Sequence, residues 1–215
     1  SSKLVPIKNR MNTGDPGLVD VDELYDKMMN VYTWNDIRRD DYDVDYQNYY
    51  TFLGVLPQRE LFVSTANALL KAGDKERALK ILDKCQESMP ENVWPLDAIP
   101  LGFSTNDYMV VNMVSGYFAA GAPEKAAELG AKLGKELLAS AHFYMEYYEY
   151  AQDEFEKSCQ FLYFLVDELE KGGDKKVSAE LKHSLVTLLR AGADAYDQDY
   201  GNEADSTVAE DTSAK

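Results

Sequence analysis

The stretch from Arg59 to Pro90 constrains the fold more than any other part of the chain, because it has the pattern of two short amphipathic helices joined by a tight turn. Gly73 gives the turn a backbone that can adopt positive φ, and Pro90 ends the second helix because it has no N–H to continue the ladder. The small and apolar positions that must interlock are Phe62, Ala66, Leu69, Ala78, Leu82 and Cys85. Their helical spacing predicts an antiparallel helical hairpin.

This hairpin resembles a tetratricopeptide repeat, a helix–turn–helix unit that usually builds binding surfaces. A second candidate lies between residues 106 and 140, where Gly121 makes the turn. Ala126 follows Gly121 by five residues, as Ala78 follows Gly73. The chain therefore carries at least two units of the same kind.

The two turn glycines are 48 residues apart, which exceeds the roughly 34 residues of a tetratricopeptide repeat. The difference predicts a proline-bounded insertion over residues 92–105 that forms a loop on one face. A third hairpin is predicted at 153–171 and 175–191, around Gly172 and Gly173. Its repeat signature is poorer, since Ser178 stands where the small alanine is expected.

Three regions follow from these patterns. Residues 1–45 form an extended, irregular N-terminal segment with one short helix, and residues 46–196 form a tetratricopeptide-like helical domain. Residues 197–215 are acidic, small and polar, and are predicted to be disordered. The predicted fold is all-α: a tetratricopeptide-like helical hairpin array, with the irregular N-terminal segment against it.

Composition excludes several classes of function. The net charge of −16 argues against nucleic acid and anionic membranes, because phosphate binding needs clustered lysine and arginine. No run approaches the roughly 20 apolar residues that span a bilayer. Separately, we expect the chain to be a fragment of a longer protein. Cys85 and Cys159 lie among apolar helical residues, so two buried thiols are predicted rather than a disulfide.

No catalytic residue, metal site or cofactor is predicted. The chain lacks a zinc-ligand spacing, a phosphate-binding glycine loop and a nucleophile elbow. Asp41, Asp43 and Asp45 have the spacing that opens an EF-hand loop, but Tyr46 stands where the turn needs glycine and Phe52 where glutamate is needed. A looser calcium site and a solvated acidic loop both stay open.

Aromatic residues are dense in two segments, Tyr42–Tyr50 and His142–Tyr150. Such side chains either pack in the core or form a platform for a glycan or a peptide, because tyrosine couples apolar area with a hydrogen-bonding tip. Three residues, Trp34, Trp94 and Tyr147, are candidates for exposed aromatic contacts.

A ligand groove is the remaining candidate site. In repeat proteins that clamp peptide carboxylates, asparagines lie on successive first helices, and Asn67 and Asn112 are assigned to those positions. Val63 replaces the expected lysine, which argues against a carboxylate clamp and allows a groove for a neutral peptide or sugar. The predicted groove residues are Asn67, Lys71, Tyr108 and Asn112.

Several segments together resemble one family more closely than they resemble a generic repeat. These are residues 4–8 (LVPIK), residues 24–30 (LYDKMMN) followed by Trp34, the 59–90 hairpin, and Asn92, Val93, Pro95 and Asp97. Their order is similar to the C-terminal soluble region of large multi-spanning bacterial membrane proteins. That family, formerly a domain of unknown function, is grouped with glycosyltransferases of the protein O-mannosyltransferase type.

The resemblance implies that this fragment faces the periplasm at the inner membrane. Catalysis would then belong to a membrane domain of the same polypeptide, and no catalytic residue carries over to this region. We expect a non-catalytic interaction domain that binds acceptor protein, glycan or a partner subunit. A stand-alone carbohydrate-active enzyme using paired carboxylates, and a purely structural brace, are the alternatives.

Overall fold

The computed structural model describes residues 20–34, 38–39, 41, 55–101 and 105–210, and its account of side chains leaves out those of 55–56, 101, 105 and 195–210. Within these ranges the chain forms seven α-helices and no strand, which confirms the predicted all-α class. In this part of the chain, no helix combines the length and the apolar character needed to span a membrane.

Three helical hairpins follow a short N-terminal helix. A π-helical turn, Lys27–Val31, extends the first helix, and a 3₁₀ turn, Ile99–Leu101, precedes the fourth. The helices are α1 (Val21–Asp26), α2 (Val55–Lys71), α3 (Lys75–Ser88), α4 (Thr105–Ala120), α5 (Pro123–Glu146), α6 (Tyr148–Gly172) and α7 (Lys175–Glu210). The hairpins are α2–α3, α4–α5 and α6–α7, and α4 packs against both α2 and α6.

The same turn joins the two helices of every hairpin. Gly73, Gly121 and Gly173 have φ values of +82°, +87° and +89°. Each glycine N–H donates to the carbonyl three residues earlier, over 3.0–3.1 Å, and the next N–H donates to the carbonyl five residues earlier, over 2.9–3.0 Å. This is the Schellman arrangement, in which a left-handed glycine satisfies the last carbonyls of a helix. The third hairpin, whose sequence signature is poorer, therefore has the same turn as the first two.

Ser178 takes the place of a buried alanine. Ala78, Ala126 and Ser178 are each the fifth residue after a turn glycine, and all three are buried. The Ser178 hydroxyl donates to the carbonyl of Asp174 in its own helix, so burial leaves no polar group unsatisfied. A serine is thus as acceptable as alanine at this close contact.

The third hairpin is longer than predicted. Helix α6 begins at Tyr148 rather than at residue 153, and α7 continues to Glu210 rather than ending near residue 191. The backbone over 197–210, where the sequence predicts disorder, is therefore helical; residues 211–215 lie outside the described range. No proline interrupts this stretch, which allows the helix to continue.

The short helix of the N-terminal segment is confirmed. The Asp20 side chain accepts the N–H of Glu23 over 3.1 Å and caps α1. Met28 is buried, and its carbonyl accepts the indole N–H of Trp34 over 3.2 Å. The Trp34 ring lies 5.0 Å from that of Phe62, so this segment covers one side of the first hairpin.

Some sequence predictions fall outside the described residues. These concern residues 1–19, most of the acidic run with the loose calcium site that the sequence leaves open, and the tyrosines of 42–50.

Both cysteines are buried and free, as the sequence predicts. Burial raises the pKa of the Cys85 thiol to about 12 and that of Cys159 to about 11. Neither thiol is therefore ionised near neutral pH, and both act as apolar packing groups.

Replacing Gly121 tests the turn. No heavy atom lies within 4 Å of a Cβ added there, so the cost of Gly121→Ala is conformational. We expect a loss of about 1–2 kcal/mol in the free energy of unfolding, because alanine disfavours positive φ. Gly121→Asn should lose less, since asparagine tolerates the left-handed region. Urea unfolding measures both variants, and equal stability of Gly121→Ala and the unmodified chain would contradict the assignment.

Candidate functional site

The first helices of the three hairpins each leave one stripe of side chains exposed or half-buried. Counted back from the turn glycines, the stripes fall at the same four distances of 13, 9, 6 and 2 residues. Their members are Glu60, Ser64, Asn67 and Lys71 on α2; Tyr108, Asn112, Ser115 and Ala119 on α4; and Gln160, Phe164, Asp167 and Lys171 on α6. Because α4 packs between α2 and α6, the three stripes lie side by side and form what we call the first-helix face.

The first-helix face is electrically balanced on a strongly acidic chain. It carries two carboxylates, Glu60 and Asp167, and two lysines, Lys71 and Lys171, whereas the whole chain carries −16. Lys171 lies 2.6 Å from Asp167, so two of these charges neutralise each other locally. The rest of the face offers amides, hydroxyls, a phenol and one phenyl ring. This chemistry suits a neutral polar ligand that exchanges hydrogen bonds and some apolar contact.

All four predicted groove residues, Asn67, Lys71, Tyr108 and Asn112, belong to this face, and none is buried. The two asparagines lie at different levels of the face. Asn67 lies six residues before its turn glycine and Asn112 lies nine before its own. Asn112 is therefore level with Ser64.

Two of the aromatic candidates are not surface groups. Trp34 is 8 % exposed and Trp94 is 4 % exposed, so the predicted exposure of both is wrong. Both lie in non-helical segments that fold back on the hairpins, and burial of an indole stabilises such a segment because of its large apolar area. Tyr147, the third candidate, is exposed.

The inserted segment, of which residues 92–101 precede α4 in the described part of the chain, is held from inside rather than lying as a surface loop. The Arg59 guanidinium is buried and donates to the carbonyls of Trp94 (2.8 Å) and Pro95 (2.9 Å). It also donates to the Asn106 side-chain oxygen over 2.7 Å. Arg59 thus joins α2, the inserted segment and the start of α4.

Other polar side chains complete this anchor. Asn106 donates to the carbonyl of Leu96 over 2.7 Å, and one Glu136 oxygen accepts the N–H groups of Leu96 and Asp97, each over 2.9 Å. Buried backbone groups of a loop must find partners, and here α2, α4 and α5 supply them. We call Arg59, Asn106, Asp107, Glu136 and Ser140 the segment anchor.

Two carboxyl groups meet inside the anchor. Asp97 accepts the hydroxyl of Ser140 and the N–H of Ile99 (2.8 Å), while Asp107 accepts the N–H of Ala98 (2.9 Å). Burial, and then the charge of neighbouring Asp97, raise the pKa of Asp107 to about 8. Burial also raises the pKa of Asp97. Near neutral pH the Asp107 carboxyl group is therefore protonated in the folded chain.

This pair does not have the properties of a glycosidase site. Asp97 is 6 % exposed and belongs to the inserted segment, while Asp107 is 0 % exposed and accepts an N–H of that segment. A substrate would have to displace that segment to reach either oxygen. In the described ranges, no group of three histidine, cysteine or carboxylate side chains is placed to hold a metal ion. The carboxylates are therefore interpreted as structural.

Sequence reasoning missed the segment anchor, although a signal for it exists. Arg59 and Asp107 each lie three residues before a buried apolar residue, Phe62 and Val110, on the inward stripe of a helix. A charged residue on an inward stripe indicates a buried polar partner.

Comparisons of the chain with protein families, with curated proteins and with solved structures give no match. The resemblance to the glycosyltransferase-associated family stays a prediction, and so does the tetratricopeptide classification of the hairpins.

Replacing Asp107 with asparagine tests the proton that its carboxyl group holds. The folded-state pKa lies above the ordinary value of 3.8, so the folded chain holds a proton that the unfolded chain releases. The stability linked to this proton is complete below about pH 4 and is lost as the pH rises toward 8. Asp107→Asn should remove that loss. Its free energy of unfolding should be about 1–3 kcal/mol higher than that of the unmodified chain at pH 8 and nearly the same at pH 4.

Thermal and urea unfolding between pH 4 and 9 measures the difference between the two curves. Asp153→Asn, at an exposed carboxylate, serves as the control and should leave the pH dependence unchanged. Parallel curves for Asp107→Asn and the unmodified chain would contradict a proton held in the folded state.

Proposed function

We propose that this chain is a non-catalytic, tetratricopeptide-like interaction domain whose first-helix face binds a neutral polar ligand. The observation that carries the proposal is the common register of the three stripes, which aligns hydrogen-bonding side chains across successive first helices. A ligand lying across α2, α4 and α6 would meet each stripe at the same height. A domain that served only as a structural brace would not need this arrangement.

Three features support the tetratricopeptide-like classification. The hairpins share one turn geometry, each places a small buried residue five positions after the turn glycine, and first helices pack on first helices. The insertion between α3 and α4 lengthens the first unit and leaves these relations intact. We propose that all three hairpins are divergent copies of one unit.

The proposed ligand is an extended polypeptide of an acceptor or partner protein, or a glycan. Asn67 and Asn112 present half-buried amides, which can donate to and accept from a peptide backbone or sugar hydroxyls. Tyr108 is exposed and adds an apolar face with a hydroxyl tip. The enzyme alternative is not favoured, because the one close carboxyl pair that we describe is buried in the segment anchor.

The amide contacts predict the effect of a double variant. Asn67→Ala with Asn112→Ala should weaken binding by about tenfold or more, as expected when two hydrogen-bonding groups are lost. Both side chains are outside the core, so the free energy of unfolding should stay nearly unchanged. Binding is measured on arrays of unstructured peptides and of oligosaccharides.

Asn30→Ala is the matched control, because this exposed asparagine lies on the π-helical turn away from the face. Equal binding by the double variant and the control would sink the assignment of the face.

The cellular context is proposed from the resemblance in residues 4–100. We place the chain at the periplasmic face of the inner membrane, as the C-terminal region of a membrane glycosyltransferase-like protein. The catalytic groups would belong to the membrane domain of that polypeptide, which is also the expected intramolecular partner.

An immunoblot of fractionated native cells tests this context. Antibody raised against the 24.2 kDa chain should detect a much larger band in the inner membrane, because the membrane domain would be covalently attached. A soluble band of about the fragment's own mass would overturn the membrane context and leave the binding face to be judged on its own variants.

A further inference from the structure

A sharp corner joins α5 to α6 and sorts the aromatic side chains of residues 142–150 into two groups. Tyr147 and Ala151 both have non-helical backbone angles, with φ of −118° and −133°. Between them the Tyr147 carbonyl accepts the N–H groups of Tyr150 (2.9 Å) and Ala151 (3.0 Å). Tyr144 and Tyr148 are buried as a result, whereas other aromatic residues of the same stretch point to solvent.

Three aromatic residues are exposed at this corner. Phe143 is 56 % exposed, Tyr147 is 51 % exposed and Tyr150 is 82 % exposed. The rings of Phe143 and Tyr147 lie 5.0 Å apart and are tilted by 47°. Core packing accounts for neither Tyr150 nor the outer faces of the other two rings, and grouped exposed aromatic residues are typical of interaction sites.

Carboxylates without ion-pair partners lie close to these aromatic residues in the sequence. Residues 142–156 contain five acids and no lysine or arginine: Glu146, Glu149, Asp153, Glu154 and Glu156. Among the ion pairs of the described part of the chain, none includes any of the five.

Ion pairs do form on the surfaces of other helices, for example between Lys80 and Glu76 (2.6 Å) and between Lys125 and Asp83 (2.6 Å). Glu156 accepts the side-chain N–H of Gln152 over 2.8 Å, and Lys157 follows it directly in the sequence. The corner is nevertheless a locally negative surface whose carboxylates lack ion-pair partners. A partner that brings positive charge would supply them.

We propose that this acidic aromatic corner binds a polypeptide segment that carries arginine or lysine. Guanidinium and ammonium groups are attracted both to the faces of tyrosine rings and to carboxylates. The corner offers these two features together at Tyr147, Tyr150, Glu149 and Asp153. An anionic partner would be repelled by the same charges.

A glycan fits the corner less well. Sugar-binding platforms present flat ring faces, whereas the Phe143 and Tyr147 rings are tilted relative to each other, and a neutral sugar would leave the five carboxylates unpaired. The corner shares no residue with the first-helix face, so the inference does not depend on the function proposed for that face.

A synthetic peptide tests the proposal. A fluorescein-labelled peptide of alternating arginine and glycine is titrated with the 215-residue chain at physiological salt, and binding is followed by fluorescence anisotropy. A peptide with citrulline in place of arginine has the same shape without the charge. We expect the arginine peptide to bind and the citrulline peptide to bind at least about tenfold more weakly, because the cationic contacts are lost.

Variants separate the corner from the general negative charge of the chain. Tyr147→Ala with Tyr150→Ala keeps the net charge and should weaken binding of the arginine peptide about tenfold. Glu149→Gln with Asp153→Asn removes two charges at the corner and should weaken it about as much. The matched control, Glu76→Gln with Glu124→Gln, removes two charges elsewhere and should change the affinity less than about twofold.

Circular dichroism checks that each variant is folded. Tyr150→Ala alone carries the test if the double tyrosine variant unfolds, because this side chain is the most exposed of the three. Equal losses in the control and the corner variants, or full affinity without the tyrosines, would overturn the proposal. So would binding of maltoheptaose that depends on Tyr150 when the arginine peptide does not bind.

Discussion

The left-handed glycine at the end of each first helix is the constraint on which the rest of the structure depends. It fixes where one helix stops and the next begins, so that the same distances from the glycine select the inward and the outward residues in all three hairpins. Ala78, Ala126 and Ser178 are all buried because of that shared register. The same counting aligns the polar stripes of the first-helix face. Core packing and the proposed binding surface are thus two consequences of one turn geometry.

The segment anchor adds a second constraint that a simple hairpin array would lack. Arg59 reaches from α2 to the inserted segment and to α4, and so links the first two hairpins through hydrogen bonds as well as apolar packing. Burying a guanidinium and the Asp97–Asp107 pair has a desolvation cost, which the bonds to backbone groups offset. Removing any one member would leave its partners buried and unsatisfied, and for this reason the group is expected to act as a unit.

The sequence predicts the helices of the hairpins well because helical periodicity and turn chemistry are local signals. Trp34 and Trp94 were misplaced because they lie in non-helical segments, where no period tells which way a side chain faces. Ser178 makes the third repeat harder to recognise from the sequence. It does not disturb the packing, because its hydroxyl donates to the carbonyl of Asp174. The Arg59 bonds of the anchor join residues 35–47 positions apart, a separation that no local pattern reports.

The distribution of charge separates the two proposed surfaces. Ion pairs neutralise part of the surface of α3 and α5, and the first-helix face is balanced, so part of the excess of acids is concentrated at the corner between α5 and α6. A neutral polar ligand gains little from the corner, and a cationic segment gains little from the balanced face. Because α6 contributes to both surfaces and is packed against α4, α5 and α7, the two surfaces are held in a fixed relation. A partner that engaged both would need a cationic stretch and a neutral stretch at a defined separation, which makes the pair of surfaces more selective than either one alone.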